Sequence, residues 1–291
     1  MLVKSIFFCL LFLPLNSLAE PVQVQVDIRH RPPEMSIIDG KYYGPLIDII
    51  DLLLLESKLE PQWLVVPWPR TLLRAKLGQV DIIPRHSMTL ERKKFLLPML
   101  IGYEQRSVHY LLSPSIQDID QYQSPKQFSN LIFGLLRGSY YGPYIENIQS
   151  KVSTVFTHDI QQLMSLLLSG RIDIMPIQNL SWAEAAFHKV KHKHKGKMYQ
   201  ISSYKETFVS GKYISIPKSS PLATSFHRLN CQIFKLRNSG TIDSIYQDYD
   251  ISPYLQILDN AESLEQVASC LKTDSIEAPE LIEPRPTEEL F

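Results

Sequence analysis

No excess of charge of either sign marks this chain: 30 lysines and arginines stand against 30 aspartates and glutamates in 291 residues. A nucleic-acid binder needs a basic field, so no nucleic-acid partner is expected. Cysteine is scarce, with three in all. None is paired with another cysteine or histidine at metal-ligand spacing, so neither a metal nor any other cofactor is expected. The chain also lacks a Gly-x-Ser-x-Gly elbow, a Walker loop, a His-Glu-x-x-His pair and a Gly-x-Gly-x-x-Gly turn. Those absences argue against the common hydrolases, phosphotransferases and dehydrogenases. Beyond the N-terminus no apolar run has the length of a bilayer span; residues 49–55 come closest, and Asp51 breaks them. With 44% hydrophobic and 21% charged residues, wholesale disorder is excluded.

What is there begins with MLVKSIFFCLLFLPLNSLAE. Lys4, a short apolar stretch and Ser17-Leu18-Ala19 form the three parts of a secretory signal over residues 1–19, too short for a stable span. The alternative is an N-terminal anchor helix. Removal of Lys4 leaves a net charge of about −1. Cys9 leaves with the signal, so Cys231 and Cys270 remain. An exported chain permits a disulfide between them, and two buried free thiols are the alternative.

Valines 22, 24 and 26 alternate with polar residues, the period of a strand. Asp39-Gly40 reads as a hairpin turn. Pro45 opens a helix to about residue 59, with strands at 63–66 and 80–83 and a helix at 70–77. After a polar connector at 113–125, strands are expected at 131–136, 152–156, 172–174 and 213–216. Helices are expected at 159–169, 181–190, 221–238 and 241–249, with Thr157 as a cap and Gly170 as a stop. A last amphipathic stretch covers 263–271, and 273–291 is an acidic, proline-rich tail. The alternation implies α/β layers with mostly parallel sheets.

Two clusters invite a chemical reading. His188, His192 and His194 lie among five lysines in HKVKHKHKGK, whose charge opposes a metal, so the run reads as a solvated basic loop. Residues 84–94, PRHSMTLERKK, follow a strand, where open α/β sheets place ligands. Ser87 and Thr89 offer hydroxyls, and Arg92 a fork that matches a carboxylate. The alternative is a helix cap at Thr89 followed by surface charge.

Taken in order, Ile37-Ile38-Asp39-Gly40, Tyr43-Gly44, Asp48, Val66-Pro67-Trp68-Pro69-Arg70, Gly78-Gln79-Val80-Asp81-Ile82-Ile83 and Ser87-Met88-Thr89-Leu90-Glu91-Arg92 form a series. Leu136-Arg137-Gly138-Ser139-Tyr140, Gly170-Arg171-Ile172-Asp173 and Asn238-Ser239-Gly240-Thr241-Ile242-Asp243 continue it. The series resembles the bacterial extracellular solute-binding proteins of family 3, over about residues 22–250. That resemblance implies a type 2 periplasmic-binding fold of two α/β lobes joined by two crossings, near 110–113 and 208–216. It implies lobe 1 from 20–112 and 208–272, and lobe 2 from 113–207. The chain would be a periplasmic monomer, not an enzyme, that closes on a small carboxylate-bearing solute such as an amino acid. Its partner would be the membrane permease of an ABC importer, or a receptor. By the same resemblance Arg92 clamps the carboxylate, Ser87 donates a hydroxyl, and Gly138, Ser139 and Tyr140 contribute from lobe 2. Trp68 offers an apolar wall, with packing in the lobe 1 core as the alternative.

Two departures stand out. The acidic residue that usually meets an ammonium is replaced by Ile177-Gln178-Asn179, leaving Gln178 as a neutral acceptor. Arg31 takes the place of an aromatic, and Arg85 faces the same cleft. Three arginines there favour more negative charge than a zwitterion carries. An enzyme on this scaffold, such as a dehydratase, would need an acid or base, for which Glu34, His86 and His158 are the candidates.

Overall fold

The computed structural model describes residues 22–254 together with Ala268 and Cys270. The expected signal, most of the amphipathic stretch at 263–271 and the tail lie outside those residues. The first half of the chain runs β1 (Val22–Ile28), β2 (Ser36–Ile38), β3 (Lys41–Tyr43), α1 (Pro45–Glu56), β4 (Leu59–Val65), α2 (Trp68–Lys76), β5 (Ile83–His86), α3 (Leu90–Lys93) and β6 (Leu96–Leu112). There follow β7 (Phe133–Leu136), α4 (Pro143–Ile148), β8 (Thr154–Thr157), α5 (Ile160–Ser169), β9 (Ile174–Ile177), α6 (Leu180–Val190), β10 (Gln200–Pro217), α7 (Phe226–Asn238) and α8 (Thr241–Asp248).

Local chemistry accounts for most boundaries. Asp39 and Gly40 both take positive φ and turn β2 into β3, as a two-residue hairpin loop requires. Pro45 sits at the start of α1, where its missing N–H costs nothing. That helix ends at Glu56, short of the expected residue 59, because Lys58 turns left-handed at φ 56° and Leu59 already pairs with Val22. Asp159, not Thr157, caps α5 by accepting from the Gln161 N–H, and Gly170 ends it at φ 75°. The strand expected at 80–83 instead covers Ile83–His86. Asp81 is drawn aside to accept from the Gln25 N–H and the Ser220 hydroxyl.

β1 and β4 pair in parallel, as do β7 and β8. The six-stranded sheet has the order β5-β10-β6-β9-β7-β8 and is mixed, because β6 and β10 run antiparallel. Their register extends from Gln200↔Leu112 to Pro217↔Leu96, with irregularities between Ile201 and Lys205 and between Lys212 and Tyr213. This is far longer than the strand expected at 213–216, and β6 breaks the apolar pattern of a strand with Glu104 and Arg106.

The cores are separate. One packs β1 and α1 against α7, α8 and the outer ends of β6 and β10, around Ile50, Leu53, Ile214 and Leu229. The other end of the molecule has two clusters, one about α5 and α6 and one about Tyr110, Phe128 and Phe133. Among the described residues only β6 and β10 contribute apolar residues or pairing to both ends, so the molecule is an α/β protein of two lobes joined through a ribbon. Cys231 on α7 is bonded to Cys270.

Candidate functional site

The carboxyl ends of β1 and β5, the middle of β6 and β10, and the loops after β7 and β9 meet around a cavity of about 180 Å³. Sites for drug-sized molecules run to ~300–1,000 Å³, so this one suits a compact solute. Five arginines and Lys212 line it, and none of its lining residues is a carboxylate. Among the described residues no group of histidine, cysteine and carboxylate side chains could hold a metal ion.

Arg92 is brought inward by a helix cap. Thr89 accepts from the Arg92 N–H and starts α3, which turns the guanidinium into the cavity wall, where Arg92 is buried. Cap and inward arginine therefore coexist, where the sequence had set them as alternatives. The fork is already engaged: Nη1 donates to the Ser87 carbonyl, and Nη2 donates to the Gly138 carbonyl at 2.7 Å. Trp68 Nε1 donates to the same Gly138 oxygen at 2.8 Å. Gly138 holds φ 75°, a conformation that costs glycine little. Burial lowers Arg92 to about 10, with Glu146 and Glu91 offsetting part of the effect.

Arg85 occupies φ 28°, where residues with a Cβ are rarely found. Its surroundings hold it there. Glu34 and Glu104 pair with its guanidinium, Tyr254 shares it, and Arg29 donates to its carbonyl at 2.9 Å. Burial works against its charge, but Tyr254, Glu34 and Glu104 keep it firmly protonated.

Glu104 meets three cations: Lys212 Nζ at 2.6 Å, Arg85 Nη2 at 2.9 Å and Arg106 Nε at 3.1 Å. Burial would raise its carboxyl; these cations hold it below the usual range. Lys212 is only 1% exposed. Burial, with Arg85 and Arg106 beside it, pushes its ammonium down to about 6 against the pull of Glu104. Arg106 also donates to the Ser87 hydroxyl at 2.9 Å.

Trp68 forms one wall, with Arg29 4.3 Å and Arg92 5.1 Å from its ring centre. Arg31 lies 5.8 Å from the ring centre of Trp182, at the start of α6. Gln178 lines the cavity and donates to the Tyr140 carbonyl at 2.8 Å, which leaves its amide oxygen as a neutral acceptor. Asn179 is spent on capping α6. His86 is neutral: burial, with Arg92 adding repulsion, lowers it to about 3. Its Nδ1 faces the Ser87 carbonyl, which can only accept, so Nε2 accepts from Ser215.

The residues singled out in the sequence are found together. Arg92, Ser87, Trp68, Ser139, Arg85, Tyr140, Gln178 and Arg31 line the cavity, and Gly138 reaches its edge through its carbonyl. Arg29, Arg106, Lys212 and Trp182 line it too and were not singled out. Arg29 lies just past the end of β1, two residues before Arg31, a cue present in the sequence. Arg106 and Lys212 show no cue without the β6–β10 register. His158 is exposed and lines no part of the cavity.

No protein-family model matches the chain, and no curated protein matches it. Solved structures do. An ancestral arginine-binding protein bound to arginine shares 16% identity at a TM-score of 0.55, over 79% of this chain and 99% of that one. An arginine 3rd transport system periplasmic binding protein from Legionella pneumophila shares 16% identity at 0.55, over 78% and 99%. A histidine kinase sensor domain with similarity to periplasmic binding proteins shares 13% at 0.57, over 79% and 98%. This chain therefore has the two-lobe fold of the periplasmic binding proteins.

Proposed function

We propose that the chain is an exported solute-binding protein of the family 3 type, which closes two lobes on a small carboxylate-bearing solute and presents it to the permease of an ABC importer. The lobes are residues 20–112 with 208–272, and 113–207; the working form is a periplasmic monomer. The observation that carries this reading is a small cavity lined by five arginines and a lysine with no lining carboxylate, set between the two lobes. Such a wall binds carboxylates through charge-assisted hydrogen bonds. It is ill suited to a cationic side chain, so arginine, bound by the ancestral neighbour, is not the expected ligand here.

A thermal-shift screen of amino acids, dipeptides, dicarboxylates and polyols tests the reading. A true ligand at a hundred times its dissociation constant stabilises the protein by about 2.7 kcal/mol. No shift from any class of small solute sinks it.

The sensor-domain neighbour supports a second reading, in which the liganded lobes signal to a receptor instead of feeding a permease. Loss of ligand uptake on deleting the gene supports the importer; unchanged uptake with altered gene expression supports the receptor. Catalysis is less well served. Glu34 is held by Arg85 and by the hydroxyls of Tyr254 and Tyr246, and His86 is fixed between Ser87 and Ser215.

A further inference from the structure

We infer that the ligand is a compact dianion without an ammonium group, a dicarboxylate or a phosphomonoester, held by the guanidinium groups of Arg31, Arg92 and Arg106. This rests on the solute-binding reading above and narrows it to one charge class.

Charge balance comes first. Five arginines line the cavity beside Lys212, which is left out of the count at pH 7 because its value lies near 6, and two carboxylates, Glu34 and Glu104, pair with members of the set. Glu146 and Glu91 act on Arg92 from outside the lining. The remaining positive charge is buried without a matching counter-ion, an arrangement that is costly until an anion enters. A zwitterion brings no net charge. Its ammonium would meet only neutral acceptors among the lining residues, such as Gln178, Tyr140, Ser87 and Ser139, in a wall of cations. A dianion offsets two charges and brings no group that needs a carboxylate.

Donor geometry comes second. Arg31 has an ion pair to Glu34 at 3.8 Å, too long for a good hydrogen bond, and its guanidinium carbon lies 5.8 Å from the Trp182 ring centre. Its fork is therefore open to a ligand. Arg106 uses Nε on Glu104 and Nη1 on Ser87, and keeps Nη2. Arg92 can exchange a carbonyl for a ligand oxygen, since Gly138 would retain its bond from Trp68. These donors come from three separate elements of one lobe, the loop after β1, α3 and β6, instead of from a single loop. Two anionic ends suit that placement better than one.

Matched probes test the inference by calorimetry on the purified chain at pH 7. Succinate and aspartate differ by one ammonium; succinate and butyrate differ by one carboxylate. Succinate should bind at least about tenfold tighter than either. Ethyl phosphate is the parallel arm: if it binds and succinate does not, the dianion is a phosphomonoester. Arg31→Gln and Arg106→Gln should each weaken the dianion more than butyrate, by at least about tenfold. Gln178→Glu supplies the missing carboxylate and should move the preference toward aspartate. Aspartate or butyrate equalling both dianions overturns the inference and leaves solute binding intact. So does a screen that yields an amino acid or neutral ligand while both dianions fail. A screen in which no small solute binds overturns the solute-binding reading itself.

Discussion

Arg92 and Gly138 are hydrogen-bonded from one lobe to the other, Nη2 to carbonyl oxygen, at 2.7 Å. The indole of Trp68 donates to the same oxygen. The arginine expected to grip a ligand thus also ties α3 to the loop after β7. A carboxylate that takes the fork must displace a backbone carbonyl, so binding and lobe contact draw on the same donors.

Arg92→Ala should weaken the screened ligand at least about thirtyfold, in line with the ~2–5 kcal/mol lost when one partner of a buried charge pair is removed. Arg92→Lys should restore only part, because an ammonium cannot make the fork. Trp68→Phe removes one of two donors to Gly138 and should cost about two- to tenfold. Calorimetry reads all three, with circular dichroism to check the fold; unchanged affinity in Arg92→Ala would move the clamp to Arg31 and Arg106.

Lys212 should leave a mark on the pH dependence of stability. Its folded value of about 6 lies below the ~10.4 of an unfolded lysine. Between those values the unfolded chain holds a proton that the native chain does not. This group therefore makes stability fall as pH drops from the unfolded value toward 6, by at most about 1.4 kcal/mol per pH unit, and adds no slope below it. Urea unfolding at pH 6, 7.5 and 9 should show a shallower trend in Lys212→Met. Equal slopes in the two proteins would mean that Lys212 stays charged beside Glu104.

Glu34→Gln should be among the more destabilising changes outside the apolar core. Arg85 would keep Glu104 but lose its other carboxylate, and Tyr254 and Tyr246 would lose a charged acceptor. Breaking a buried pair costs about 3–5 kcal/mol. Denaturant midpoints measure it, and a loss under about 1 kcal/mol would show that Glu104 alone satisfies Arg85.

The bond between Cys231 and Cys270 spans 39 residues of chain. Closing a loop of that length constrains the unfolded state by about 4 kcal/mol in the chain-entropy account. Reduction, or the Cys231→Ser/Cys270→Ser pair of changes, should lower the urea midpoint accordingly. Alkylation of both thiols in protein never exposed to reductant would count against the bond.

Much of the fold was legible because its signals are local. The alternating valines of β1, the Asp39-Gly40 turn, Pro45 ahead of α1 and Gly170 after α5 each act through their own backbone conformation. β6 was not legible. Glu104 and Arg106 look like solvent-facing residues in a sequence, whereas Arg106 lines the cavity and pairs with Glu104. The same holds for Lys212, whose burial depends on three partners brought from β5 and β6. Arg92, Ser87 and Gln178 could be singled out because each follows a strand end. Arg106, Glu104 and Lys212 lie mid-strand, where only register brings them together.

The ribbon of β6 and β10 has a mechanical consequence. Two strands hydrogen-bonded to each other along most of their length resist independent swivelling, so relative motion of the lobes must flex or twist them as one strip. A strip yields where its pairing is interrupted, and one interruption falls between Lys212 and Tyr213. One yielding point of the strip and the buried Lys212 side chain are thus neighbours along the chain. The contact of Lys212 with Glu104 on the facing strand therefore sits at a segment that has to bend.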